Sequence, residues 1–141
     1  MKFIIILFFS AYSLCTLAQQ NTIGLNKQDI LGRWESFAYS LSEQENEKVD
    51  PLHAYYFKDN MVFHKGEIVE GAIIFNITGR YTVSGDSIKL VYQDYLNETK
   101  STRKVKKTVF KIFYKSTNRL DVDVVEPTNQ NPFTLRKLEV E

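Results

Sequence analysis

The chain has 141 residues, with 18 Lys plus Arg against 17 Asp plus Glu, two His and a single Cys. That length is one domain, and so even a charge balance supplies no field to draw in nucleic acid. Eight Tyr and ten Phe beside only three Pro and six Gly suit pleated strands better than helices.

Residues 1–18 open with Met1-Lys2 and an apolar run, FIIILFF, and end on Thr16-Leu17-Ala18. One positive charge, a short apolar core and small residues at the cut describe a secretory signal peptide cleaved after Ala18. The run falls short of the ~20 residues of a membrane span. Leu14 stands where a lipoprotein signal places a small residue before its cysteine, which argues against lipidation at Cys15. Cleavage removes Lys2 and the Cys together. The mature chain is then neutral, with no disulfide, thiolate nucleophile or Cys-based metal site, and is expected in the periplasm or outside the cell without a transmembrane span.

Residues 19–25 (QQNTIGL) read as a flexible leader, and 26–141 as one all-β domain. Asn26 caps one helical turn over Lys27 to Leu31. Leu31 to Leu41 is the first strand; its apolar positions change parity between Trp34 and Phe37, which predicts a bulge. The acidic stretch Ser42 to Asp50 is a polar connection ending at Pro51. His53 to Lys58 and Met61 to His64 flank a turn at Asp59-Asn60, with both faces apolar and the register therefore open. Gly66 to Gly71 is expected to be a mobile link.

Ile73 to Tyr92 is the most regular stretch. Ile73, Phe75, Ile77, Gly79, Tyr81 and Val83 fall on every second position, and Asn76, Thr78, Arg80, Thr82 and Ser84 fill most positions between, the period of a half-buried strand. Gly85-Asp86 is a Gly-first loop suited to a type II′ turn. That turn pairs Ser84 with Ser87, Val83 with Ile88, Tyr81 with Leu90 and Gly79 with Tyr92; a slip of one residue turns Lys89 and Gln93 to the apolar face. Further strands follow at Lys104 to Lys115, around Leu120 to Val124, and at Phe133 to Val140. Eight strands on mostly short loops form an antiparallel meander. With no long helix to cover it, the sheet closes into a barrel or folds into a sandwich.

Leu31-Gly32-Arg33-Trp34 after a short helical turn, the later Gly79-x-Tyr81-x-Val83-x-Gly85-Asp86-x-Ile88-x-Leu90, and the terminal Thr134-Leu135-Arg136 together resemble the lipocalin-like proteins of the calycin superfamily. The likeness is to the small secreted or envelope versions of Bacteroidetes-type bacteria. It implies an eight-stranded lipocalin-like β-barrel, with Gly32 and Trp34 on the first strand and Arg136 packed across the indole. The chain departs from larger lipocalins in having no disulfides and no long helix between its last strands.

A barrel of this size is filled by its own side chains or holds one small ligand. The interior candidates are Tyr55, Phe57, Phe75, Ile77, Tyr81, Leu90, Tyr92, Phe110, Ile112 and Tyr114, with Leu120 and Val122 beside them; core packing and the lining of an apolar cavity both fit them. His53, His64 and Glu67 are the minimum for a zinc site only in a register that brings the histidines together; solvent-exposed histidines are the simpler reading. Asp121 and Asp123 alternate with core residues, the solvent-face pattern. No Gly-x-Ser-x-Gly elbow, phosphate loop or close carboxylate pair is present, so no catalytic residue, metal or cofactor is expected. Lys100 to Lys115 holds seven basic residues in sixteen, among them Lys100, Arg103, Lys104, Lys106 and Lys107. Two functions follow: a non-catalytic binder of a small apolar or amphipathic ligand, or a solid-barrel envelope module meeting an anionic surface or protein partner through residues 100–115.

Overall fold

A computed structural model of the chain describes residues 23–41, 49–93 and 104–139. The signal segment, residues 19–22, most of the acidic stretch, and Lys100 and Arg103 lie outside the described residues. One turn of helix, α1 (Lys27–Ile30), precedes eight strands: β1 (Gly32–Ala38), β2 (His53–Phe57), β3 (Val62–Val69), β4 (Ala72–Ser84), β5 (Ser87–Gln93), β6 (Val105–Lys115), β7 (Arg119–Glu126) and β8 (Phe133–Lys137). Each pairs antiparallel with the next, and β8 returns to pair with β1, closing a barrel. Closure satisfies every edge that a free meander would leave open.

The β4–β5 hairpin has the expected register: Ser84 with Ser87, Val83 with Ile88, Tyr81 with Leu90 and Gly79 with Tyr92. Gly85 takes a φ of 61° at the turn. Gly79 is required by packing, since a Cβ there would lie 2.7 Å from both the Phe63 ring and the Tyr92 Cβ.

Elsewhere strict alternation fails at identifiable residues. Lys65 pairs with Ile77 and Gly66 with Phe75, so Asn76 is an extra residue in β4. Phe75 is thereby turned outward, 39% exposed and against the His64 ring. Ile112 pairs with Val122 and Tyr114 with Asp121, which makes Phe113 the extra residue in β6. Tyr114 consequently lies outside, 47% exposed beneath the Arg119 guanidinium. Neither side chain is in the interior where the alternation placed it.

Three further expectations are corrected. β1 has no bulge: Ser36 takes the inward position, held by the His53 backbone, and Phe37 lies outside under Arg136 at 5.0 Å. The stretch from Gly66 is not a link, because β3 runs through Val69 and turns on Glu70-Gly71 with φ values of 50° and 80°. The leader does not stay free to residue 25, since Leu25 is buried in the core and its N–H donates to the Gly85 carbonyl.

The α1 end of the barrel is its floor. Asp29 Oδ2 accepts from the Asn26 N–H and from Lys115 Nζ, which also donates to the Gly24 carbonyl. The carbonyl of Ile30, an acceptor no helical turn follows to satisfy, takes the indole N–H of Trp34 at 2.8 Å. Phe57, Tyr81, Ile88, Leu120 and Leu135 complete the buried cluster around that indole. The cation across Trp34 is Lys137, at 5.4 Å, and not Arg136. Register explains the exchange: Lys137 sits opposite Trp34 and shares the inward parity of Leu135, whereas Arg136 points outward onto Phe37.

Candidate functional site

At the end opposite α1 the inward side chains do not meet, and a cavity of about 430 Å³ remains. Its wall is Tyr55, Phe63, Ile77, Leu90, Tyr92, Phe110 and Phe133, and its mouth is bordered by Ala38, Leu52, Val124 and the β7–β8 connection at Pro127 and Gln130 to Pro132. The rings brace one another. Tyr55 lies parallel to Phe133 at 6.3 Å, and Phe110 meets both edge-on at 5.9 and 5.2 Å. Such pairs hold a flat apolar surface with little rotamer freedom.

Four polar side chains share this wall: Ser36, His53, Lys65 and Thr108. Ser36 Oγ accepts from the His53 N–H at 3.0 Å and donates to the His53 carbonyl at 3.2 Å. The Tyr92 hydroxyl lies 3.5 Å from Thr108 Oγ1. Lys65 Nζ stands 5.7 Å from the centre of the Tyr55 ring. His53 Nδ1 is buried without a hydrogen-bond partner. Burial lowers the His53 pKa, Lys65 lowers it further, and Glu67 partly opposes both. Burial, then Tyr92, pushes the Tyr55 phenol well above its ordinary value, so it stays protonated.

No protein-family model and no curated protein matches the chain. Among solved structures it is similar to a lipocalin-like protein from Bacteroides uniformis ATCC 8492, at 16% identity and a TM-score of 0.51, over 78% of this chain and 99% of that one. The fold is lipocalin-like. An uncharacterized protein from Bacteroides eggerthii DSM 20697 is similar at 13% identity and a TM-score of 0.48, over 77% and 98% of the two chains.

The lipocalin-like barrel divides the sequence candidates by height. Tyr55, Ile77, Leu90, Tyr92 and Phe110 line the cavity. Phe57, Tyr81 and Ile112 are buried outside its lining, and the Tyr81 hydroxyl is engaged by the Lys58 carbonyl at 2.6 Å. Phe75 and Tyr114 are on the outer surface. The wall residues that sequence reasoning missed are Ser36, Phe63, Lys65, Thr108 and Phe133, together with His53 as an interior residue; the residues at the mouth were missed as well. Phe63 carried a signal, its alternation with Met61, but the open register hid which parity faced inward.

The histidines are not brought together, because His53 pairs with Glu67 and His64 with Tyr56. His64 Nδ1 is 2.8 Å from Thr78 Oγ1 on the outer surface, while His53 lines the cavity. Among the described residues no three His, Cys, Asp or Glu side chains are grouped to hold a metal. Asp121 is buried rather than solvent-facing; it accepts from Arg119 Nε at 2.9 Å, Arg119 Nη2 at 3.1 Å and Thr134 Oγ1 at 2.8 Å. Its role is to tie β7 to β8.

From Val105 onward the basic segment is the strand β6, paired with β5 and with β7. Lys107 bridges Glu126 at 2.9 Å, Lys111 lies 3.9 Å from Asp86 and Lys115 3.0 Å from Asp29. These three ammonium groups each have a carboxylate within the fold. No helix among the described residues is long and apolar enough to cross a membrane.

Proposed function

We propose that this chain is a non-catalytic binding protein for one small amphipathic molecule with an apolar body, working in the periplasm or outside the cell. The observation that carries the reading is the aromatic-walled cavity of about 430 Å³, within the range of small-molecule sites. The N-terminal run, read as a cleavable signal, supports the location, and N-terminal sequencing of the exported protein tests it. The reading includes no catalytic step. Ser36 Oγ is held by the His53 backbone, Tyr92 faces another hydroxyl, and no carboxylate lines the cavity among the described residues.

The test is a titration of the mature protein with the neutral apolar dye N-phenyl-1-naphthylamine, beside native mass spectrometry of protein purified from its own host. Saturable uptake of one dye per chain is expected, lost in Thr108→Trp, whose ring occupies the cavity, while the thermal transition persists. A barrel that takes up no dye and carries no small mass overturns the proposal. Uptake indifferent to Thr108→Trp does the same, because it places the dye elsewhere.

A further inference from the structure

We infer that the outer face of β4, β5 and β6 is a docking surface for an acidic polysaccharide, one that carries a carboxylate on successive sugars. The surface lies outside the barrel and is independent of the cavity and of what the cavity holds.

Charge is balanced over the chain but segregated around the barrel. Strands β2 to β6 carry a single carboxylate, Glu67, whereas β7 alone carries Asp121, Asp123 and Glu126. Tyr81, Leu90, Phe110 and Ile112 take inward positions and are buried, which leaves Arg80, Lys89, Lys107 and Lys111 on the outside, all exposed. Register gathers the four around Lys89. Lys89 stands opposite Thr82 on β4 and Val109 on β6; Arg80 and Lys107 both stand opposite Val91, and Lys111 opposite Ser87. Arg80, Lys107 and Lys111 are therefore each a diagonal neighbour of Lys89, at ~7–8 Å. Lys58 extends the group beyond Arg80, since its N–H donates to the carbonyl of Val62, which pairs with Arg80.

Glu126 meets Lys107, and Asp86 lies near Lys111, both at the margin of the group. Among the described residues no carboxylate pairs with Arg80 or Lys89. Lysines on a strand commonly guard a free edge, yet β4, β5 and β6 are each paired on both sides and have no edge to guard. Folding thus collects like charges that repel one another, and an anionic partner relieves that repulsion.

The rest of the face selects the kind of polyanion. Among the described residues no exposed large apolar side chain lies between Ile77 and Gln93 or between Lys106 and Ile112. Nothing there inserts into a lipid layer or stacks on a nucleobase. Thr82 and Ser84, at outward positions of β4, instead set hydroxyls beside the cations, where they suit the hydroxyls of a sugar. The Arg80 guanidinium is a fork that takes a carboxylate through two hydrogen bonds.

The experiment titrates the mature protein, near neutral pH, with a polygalacturonate oligosaccharide and with its fully methyl-esterified form, which keeps the sugars and loses the charges. The acid form is expected to bind and the ester is not. Affinity for the acid form should fall about tenfold or more between about 0.01 M and 0.15 M salt, as the screening length shortens from ~30 to ~8 Å. Lys89→Glu should weaken binding about tenfold without lowering the Tm, because it relieves the like-charge contacts. Arg136→Glu, the same change of net charge on β8, should leave binding unchanged. No binding at the lower salt, or equal binding of acid and ester, overturns the inference. Equal losses in the two variants overturn the assignment to this face. Tighter, Lys89-dependent binding of phosphatidylglycerol vesicles or of single-stranded DNA overturns the choice of partner. Dye uptake plays no part in the test, so this inference and the proposed binding function can each fall without the other.

Discussion

Replacing Trp34 with Phe tests whether the α1 end is a structural floor rather than part of the ligand site. Trp34 is 0% exposed, and its indole N–H satisfies the carbonyl of Ile30, itself 0% exposed. The substitution strands that carbonyl in a dry site, at about 1–3 kcal/mol. The smaller ring also leaves a void of roughly 40 Å³, about 1 kcal/mol at ~24 cal/mol per Å³. Lys137 loses the larger π face that it covers at 5.4 Å, a further loss of about 0.5 kcal/mol. Together these come to roughly 2.5–4.5 kcal/mol, which lowers the Tm of a domain of this size by roughly 10–18 °C. Thermal unfolding followed by circular dichroism reads the shift, and dye titration at room temperature reads the cavity. Dye affinity should be unchanged, because Trp34 does not line the cavity. A Tm within about 2 °C of wild type would refute the floor argument. Affinity that collapses while stability holds would make Trp34 a ligand contact.

Phe110→Ala removes a cavity wall and should both weaken dye binding and cost about 3–5 kcal/mol. Tyr81→Phe, which gives up only the 2.6 Å bond to Lys58, should cost about 1 kcal/mol and leave dye affinity alone; equal affinity losses in the two variants would contradict the division of the barrel into floor and cavity. Asp121→Ala removes the acceptor that Arg119 and Thr134 share and should lower the urea midpoint by an equivalent of about 1–3 kcal/mol, less than a fully buried pair because Arg119 reaches solvent. Adding Arg119→Ala should then cost less than the same substitution costs in the wild type, and additive losses would show that the pair does not act together. The pKa of His53 is lowered by burial and then by Lys65, with Glu67 raising it in part; that of His64 is lowered by burial and then Lys58. The unfolded chain therefore binds protons that the folded chain refuses, and stability falls with pH from the ordinary value of 6.5 down to the folded values. Melting curves across that window should show the loss, with a shallower slope in His53→Gln; a flat profile counts against the buried, neutral ring.

The parts of the fold that were legible are those where two independent signals agree. The β4–β5 register was readable because the alternation from Ile77 to Val83 and the Gly85 turn specify the same pairing. Ile73 to Phe75 obey the same alternation in the sequence, yet Asn76 inserts one residue against β3 and reverses the faces. Nothing in the residue types marks that insertion, because both faces of this segment are apolar. Phe113 reverses Tyr114 in the same way. Lys137 was missed for a different reason: two adjacent basic residues compete for the indole, and only the register of β8 against β1 decides between them. The cavity was least legible, since it is bounded by inward positions that break the hydrophobic pattern. Ser36 and Lys65 look like solvent-facing residues until the pairing shows them inside.

Those pattern-breaking positions also explain why the barrel is hollow at one end only. On the floor, inward positions carry Trp34, Phe57, Tyr81 and Ile88, each 1% exposed or less, and adjacent rings close the space between the sheet walls. One layer higher, β1 offers Ser36 instead of an indole, and β6 offers Thr108 where two residues later Phe110 stands. Burying a large apolar side chain at either position would add about 1.5–3 kcal/mol of stability, in a fold whose rings already brace that layer. A packed barrel has no use for a hydroxyl at both positions and an ammonium between Tyr55 and Ile77. The same three residues are consistent with a wall that must remain apart and stay partly polar, so the space at the open end follows from side-chain choice and not from a barrel too wide to fill.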